Sequence, residues 1–201
     1  MNIQSVLIAV PILALSIAFH EMMHALVSDG LGDDTARLSG RITLNPFAHI
    51  DIVTTVLLPL VLMLIGLPPF GAARPVPFNP NRVKHGEFGV ALVAVAGPLS
   101  NLLLAIICGF FLRSSPSGVV NDILTVALQI NVAFFIFNLI PFPPLDGSRL
   151  LYAFAPEPLQ DFMMKIESMG FTAIIIFMVL IFPLLQPIYL NLFSRLVNFL
   201  G

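Results

Sequence analysis

The chain alternates between long apolar runs and shorter polar segments. Four apolar runs are long enough for a helix that crosses a bilayer, which needs roughly 20 residues. They cover residues 3–28, 88–112, 120–141 and 171–194. A weaker run over 52–67 is short and contains a proline. Two prolines interrupt the last run, so we expect one kinked helix or a helix pair over 169–200.

The polar segments between these runs predict three further features. Residues 36–44 alternate partly between apolar and polar positions, which predicts a short membrane-associated hairpin or edge strand. Residues 68–87 contain five prolines and predict an extended, non-helical loop. Residues 156–169 mix charged and apolar side chains as an interfacial amphipathic helix does.

Composition supports an all-α polytopic membrane protein. Hydrophobic residues make up 58% of the chain and charged residues 10%, against roughly 25% charged in soluble proteins. Without a basic block, nucleic acid is not an expected partner, and the lipid bilayer is. The single cysteine, Cys108, excludes an intramolecular disulfide and a Cys-rich metal site. We expect one membrane domain over 1–201, with a core of about 3–28, 88–113 and 120–150.

Charge placement predicts an orientation in the membrane. Segment 30–51 carries two Arg, and segment 68–87 carries two Arg and one Lys. The positive-inside rule places both in the cytosol. Two consecutive segments on one side imply that 52–67 does not cross simply. It is either re-entrant or crosses and returns through the proline-rich segment.

The candidate chemistry begins with His20-Glu21-Met22-Met23-His24, near the end of the first apolar run. Ionisable groups at membrane depth are costly and usually functional. Residues four apart lie on one face of a helix, so His20 and His24 can both reach one zinc ion. Glu21 points elsewhere on the helix and suits a general base.

A hydrolytic zinc site needs a third protein ligand and an open position. That ligand must be a carboxylate, Cys or His from elsewhere in the chain. Asp146 is the best candidate because it ends a span in a proline-rich break and precedes Gly147. The alternative is a helix-end cap or a partner for Arg149.

Two asparagines lie in or beside the spans. Asn138 precedes Asp146 by eight residues, and its amide is a candidate donor to the substrate or the oxyanion. Asn101 is a second candidate for that role. The alternative for each is a structural tie between helices. A catalytic role for His49 is less favoured than a position at the start of a helix.

Three motifs together resemble the site-2 protease family of intramembrane zinc metalloproteases. They are His20-Glu21-Met22-Met23-His24, Gly97-Pro98-Leu99-Ser100-Asn101 and the segment from Asn138 to Gly147, in the family's order. Residues 40–46 and 73–77 resemble the short prokaryotic members without a PDZ or CBS module. The resemblance implies one Zn²⁺ held by His20, His24 and Asp146, a catalytic Glu21, and a site toward the cytosolic face of a prokaryotic cell membrane.

The expected function is hydrolysis of peptide bonds in or near the transmembrane segments of protein substrates. The polar segment 31–51 could then offer a strand edge to an extended substrate. The alternative is a non-catalytic, zinc-dependent membrane scaffold or adaptor. A metal transporter is disfavoured because the ionisable groups concentrate at one depth. The sequence does not predict the oligomeric state.

Overall fold

A computed structural model describes residues 3–51, 73–114 and 117–201, together with Thr55, Leu57 and Leu64. The helices are, in chain order, α1 (Ile3–Gly30), α2 (Thr35–Leu38), α3 (Gly86–Leu112), α4 (Val119–Asn138), α5 (Asp146–Phe154), α6 (Glu157–Ser168), α7 (Phe171–Ile176) and α8 (Phe182–Leu200). Two 3₁₀ turns, Pro46–His49 and Pro80–Arg82, lie between α2 and α3. A π-helical turn, Phe177–Ile181, joins α7 to α8.

Four helical stretches in the described residues are long and apolar enough to cross a membrane. They are Val6–Gly30, Gly86–Leu112, Val119–Asn138 and Thr172–Leu200. The four predicted spans and the all-α polytopic class are therefore confirmed. The last stretch runs through the π-helical turn without a break, so 171–200 forms one continuous helical stretch.

Helix α3 lies at the centre of the bundle. It packs against α1, α4 and α5, with a smaller contact to α8. Over its most apolar 18 residues 56% are buried, whereas the other three spans reach only 17%, 17% and 11%. Those three helices therefore present most of their apolar side chains outward, as helices in contact with lipid do. The central helix is the one best placed to support a buried site.

The two basic polar segments lie together at one end of α1. The Lys84 backbone N–H donates to the Leu31 carbonyl at 2.9 Å. The Arg82 guanidinium lies 2.6 Å from the Asp34 carboxylate. Segments 31–51 and 73–85 therefore form one polar layer over that end of the helix.

The predicted hairpin over 36–44 is wrong, and the described part of the chain contains no β-strand. Residues 36–38 belong instead to helix α2, which begins at Thr35 after the N-cap residue Asp34. The Asp33 carboxylate accepts from the backbone N–H of Thr35 at 3.2 Å, in an Asx turn that leads into this helix. Gly40 then turns the chain with φ +67°, and no partner strand is formed. The partial alternation of apolar and polar residues over these nine positions was too short to favour a strand over the turns that local hydrogen bonds form.

Two other predictions have different outcomes. Residues 156–169 do form a helix, α6. The question of whether 52–67 spans the membrane or re-enters lies almost entirely outside the described residues.

Candidate metal centre

His20 and His24 lie one turn apart on the same face of α1, buried against α3. Their exposed fractions are 7% and 8%. The two Nε2 atoms are 3.0 Å apart. The fixed i, i+4 spacing of the helix produces this approach directly from the sequence.

Asp146 reaches the same point from the first residue of α5. Its Oδ2 atom lies 3.1 Å from His20 Nε2 and 3.3 Å from His24 Nε2. The chain before Asp146 packs so closely against the start of α5 that residue 147 must be a glycine. A Cβ on Gly147 would lie 2.3 Å from the Leu139 carbonyl oxygen. The alternative partner for Asp146 is engaged elsewhere, since Arg149 pairs with Glu167 on α6.

These three side chains are the one group of possible metal ligands among the described residues. Bonds to zinc of about 2.0–2.1 Å at tetrahedral angles place ligand atoms about 3.3 Å apart. The three distances here, 3.0, 3.1 and 3.3 Å, are close to that value. The donor set of two imidazoles and one carboxylate is also one that hydrolytic zinc sites use.

The hydrogen bonding around the three atoms also fits a bound cation. His24 Nδ1 lies 2.7 Å from the Val93 carbonyl oxygen, which can only accept, so Nδ1 carries a proton. In the neutral ring, Nε2 then has a free lone pair. Asp146 Oδ2 is buried and has no hydrogen-bond partner. With neutral imidazoles, lone pairs converge at one point, an arrangement that fits a bound metal ion.

Gly97 of α3 provides the space for this arrangement. A Cβ there would lie 2.4 Å from His24 Nε2 and 2.6 Å from His20 Nε2. Real Cβ contacts do not come that close. The Gly97-Pro98 motif therefore has a steric reason to begin with glycine.

Glu21 lies on the wall of a cavity of about 500 Å³ that the three possible metal ligands also line. Asn138 lines the same cavity and donates from Nδ2 to the Phe134 carbonyl at 3.1 Å. The lining also includes apolar side chains such as Val76 and Phe78. A carboxylate, an amide and the three possible metal ligands thus line one space large enough for part of a peptide chain.

Asn101 lies behind the site, away from the cavity lining. It is fully buried, and its Oδ1 atom is 2.6 Å from His20 Nδ1. Its Nδ2 donates to Asn131 Oδ1 at 2.9 Å. Both ends of the amide are engaged, which favours positioning of His20 over the predicted contact with the substrate.

The cavity wall that contains Val76 is held at both ends. Arg74 N–H donates to the His49 carbonyl at 2.8 Å. Asn79 N–H donates to Asp33 Oδ2 at 2.6 Å. Prolines at 75 and 77 keep the segment between these bonds extended.

Asp33 and Arg41 are structural residues that the sequence did not reveal as such. Burial by itself raises the pKa of Asp33, but hydrogen bonds from Thr35, Asn79 and Ser28 lower it below its ordinary value. Arg41 is buried and donates to the Ala48 carbonyl at 2.6 Å. The Asp-x-Thr pattern at 33–35 is the local signal of the Asx turn in which Asp33 accepts from Thr35.

His49 takes no part in the ligand group. It is fully buried, with Nε2 3.0 Å from the Thr43 carbonyl oxygen. Asn131 and Ser16 were also missed, although a polar side chain inside an apolar span is itself a signal.

Comparison with known proteins gives a consistent result. The family model "Peptidase family M50" matches residues 113–182, a range that includes Asn138 and Asp146. The protein named "Putative zinc metalloprotease YwhC" from Bacillus subtilis (strain 168) is 39% identical over 179 residues, which is 84% of this chain and 77% of that protein.

A second relative is more distant. It is "Putative zinc metalloprotease Rip2" from Mycolicibacterium smegmatis (strain ATCC 700084 / mc(2)155), 26% identical over 194 residues. The alignment covers 93% of this chain and 71% of that protein. No solved structure gives a significant match.

Proposed function

Because this chain belongs to peptidase family M50, the site-2 protease family, and is a membrane zinc metalloprotease, we propose that it cleaves peptide bonds in or near transmembrane segments. The observation that supports this most strongly is the position of the ligand triad. His20, His24 and Asp146 converge inside a bundle of membrane-spanning helices, on a cavity that Glu21 also lines. A site in that place meets a substrate within or beside the bilayer. The whole domain, 1–201, is proposed to serve this one reaction.

His20, His24 and Asp146 hold one zinc ion in this proposal. When bound, zinc supplies the Lewis acidity that lowers the pKa of a water molecule to about 7 and polarises a carbonyl. Zinc sites of this class use three protein ligands and leave one position open. Glu21, next to His20 but not in the triad, remains free for proton transfer.

Glu21 accepts a proton from the attacking water as the water oxygen bonds to the substrate carbonyl carbon. It then delivers the proton to the leaving nitrogen as the C–N bond breaks, so the carboxylate is regenerated. The Asn138 amide lines the same cavity and has a second N–H besides the one that binds Phe134. It is the proposed donor to the substrate or to the developing oxyanion.

The substrate is proposed to be an apolar, locally extended peptide segment. The cavity walls include Val76, Phe78, Val90 and Ala94, which match apolar side chains of a transmembrane sequence. The segment 31–51 forms no β-strand with which a substrate could pair. Contacts to the apolar walls replace the strand pairing that the sequence suggested.

The site is also proposed to open toward the cytosol. The support is the packing of the two basic segments, 31–51 and 73–85, over the end of α1 that follows His24. Positively charged segments of membrane proteins are retained on the cytosolic side.

The deciding experiment measures zinc content and cleavage of a synthetic transmembrane peptide by purified protein. Glu21→Gln is expected to keep zinc and lose cleavage, because only the proton acceptor is removed. Asp146→Asn is expected to lose both. Asp161→Asn, an exposed carboxylate on α6, serves as the matched control and should change neither.

Two outcomes separate the alternatives. Cleavage that survives Glu21→Gln overturns the mechanism. Zinc binding by the wild type without cleavage of any transmembrane peptide favours the scaffold or adaptor function instead.

A further inference from the structure

A row of buried polar side chains leads from His20 away from the cavity, between α1, α3 and α4. Asn101 on α3 contacts His20, and Asn131 on α4 contacts Asn101. Ser16 on α1 closes the row, with its Oγ 3.0 Å from Asn131 Nδ2. These three residues are 0%, 2% and 3% exposed. Polar groups buried this deeply must all be paired, so the direction of each hydrogen bond is constrained.

The direction is set at the far end of the row by a backbone carbonyl. Asn131 has one amide atom 2.8 Å from the Ala127 carbonyl oxygen. Since a carbonyl only accepts, that atom is Nδ2, and Asn131 Oδ1 must face Asn101. Asn101 therefore presents its NH₂ group to Asn131 and its Oδ1 to His20.

The same logic fixes the proton on His20. Asn101 Oδ1 lies 2.6 Å from His20 Nδ1 and can only accept. Nδ1 must carry a proton, and in the neutral ring the lone pair is then on Nε2, which faces Asp146 Oδ2 and His24 Nε2. This is the tautomer that a metal ligand needs.

Turning either amide over would break the row. A flipped Asn101 would place its NH₂ against His20 Nδ1 and its oxygen against Asn131 Oδ1. A flipped Asn131 would place oxygen against the Ala127 carbonyl. Each flip leaves buried polar groups unpaired, so the row has one satisfied arrangement.

We propose that Asn131, through Asn101, holds His20 in the Nδ1-protonated form that binds the metal, with Ser16 and the Ala127 carbonyl fixing the amide of Asn131. This proposal rests on the proposed zinc site. Asn101 and Asn131 are positioning residues, since neither touches the reacting atoms. His24 reaches the same state directly, because its Nδ1 donates to the Val93 carbonyl.

The first test is zinc affinity by competition with a chelator in detergent. Asn131→Leu removes both the acceptor for Asn101 and the donor to Ala127, and should weaken zinc binding about 10- to 100-fold, as outer-sphere partners of metal ligands typically do. Leu128→Ala on the same helix is the control for lost packing. Leu128 is 1% exposed and belongs to a different cluster, with Ala105, Val132 and Ile136. It should leave zinc affinity unchanged.

A rescue variant separates positioning from general damage. In Asn101→Asp the introduced carboxylate accepts from His20 Nδ1 in every orientation, so the tautomer no longer depends on Asn131. Adding Asn131→Leu to Asn101→Asp should then cost less than threefold in zinc affinity. A full additive loss in the double variant overturns the proposal.

The second test observes the tautomer itself by ¹⁵N NMR of histidine-labelled protein, which has only four histidines. In metal-free protein, where zinc loss cannot affect the signals, Asn131→Leu should change the ring-nitrogen signals of His20 and leave those of His24 in place. Equal changes at both histidines, or no change at either, overturn the proposal that Asn131 controls the tautomer of His20. If the wild-type protein binds no zinc, the proposed function is overturned instead. The His20 tautomer in metal-free protein then still tests whether Asn131 controls it.

Discussion

Gly97→Ala is the substitution whose effect on the metal site follows most directly from geometry. The new Cβ would lie 2.4 Å from His24 Nε2 and 2.6 Å from both Nε2 and Cε1 of His20. An ordinary contact begins at about 3.4 Å, so the imidazoles or α3 must move by about 1 Å. Metal–ligand distances tolerate only about 0.2 Å.

We therefore expect Gly97→Ala to reduce zinc affinity by at least 100-fold, which corresponds to about 2.8 kcal/mol at about 1.4 kcal/mol per factor of ten. Cleavage should be lost with the metal. The helix itself should not suffer, since Gly→Ala in a helix interior normally stabilises by about 0.5–1 kcal/mol. The loss is thus specific to the site.

The assay is chelator competition for zinc together with peptide cleavage. Gly30→Ala is the matched control, because Gly30 also lies in a helix and a Cβ there would meet nothing within 4 Å. It should retain both zinc and activity. Wild-type zinc affinity in Gly97→Ala would refute the assignment of the three ligands to this position.

The remaining predictions concern Asp33 and the orientation of the site. Asp33→Asn should lower the free energy of unfolding by about 1–3 kcal/mol, measured by thermal denaturation, because an amide cannot accept all the hydrogen bonds that the buried carboxylate accepts. The pKa of Asp33 is lowered on folding, so its stabilisation is present above the unfolded value of about 3.9 and is lost as pH falls through the folded value. The acid-induced decrease in melting temperature should therefore be smaller in Asp33→Asn than in wild type, and an equal decrease would contradict this reasoning. The orientation can be tested with Asn81→Cys, since Asn81 is exposed. The new thiol should resist a membrane-impermeant thiol reagent in intact cells and react with it after lysis. Labelling in intact cells would place the basic segments outside the cell.

The prediction of residues 36–44 shows where local pattern was insufficient. The alternation there is compatible with a strand, but a strand also needs a partner. The carboxylate of Asp33, fixed by bonds to Ser28 and Asn79, instead accepts from the Thr35 N–H in a turn that leads into α2. Asn79 is 46 residues away from Asp33, and no local window of sequence contains that contact.

Asn101 shows the corresponding limit at the site. As a polar residue in an apolar span it was recognisable as important. Its role depends on which neighbour meets each end of its amide. His20 lies 81 residues before it and Asn131 lies 30 residues after it. Only the packing of three helices brings these partners together.

The sequence by itself determined the membrane class, the four spans and the spacing of His20, Glu21 and His24, because helix geometry and the cost of polar groups in lipid act locally. It also predicted that Asp146 lies beside His20 and His24, because a carboxylate in a proline-rich break of an apolar chain is a candidate metal ligand. Tertiary structure alone decided that Gly97 makes room for the imidazoles and that Asn101 faces His20. Those facts depend on distances of a few ångström between helices far apart in the chain, which hydrophobic pattern does not encode.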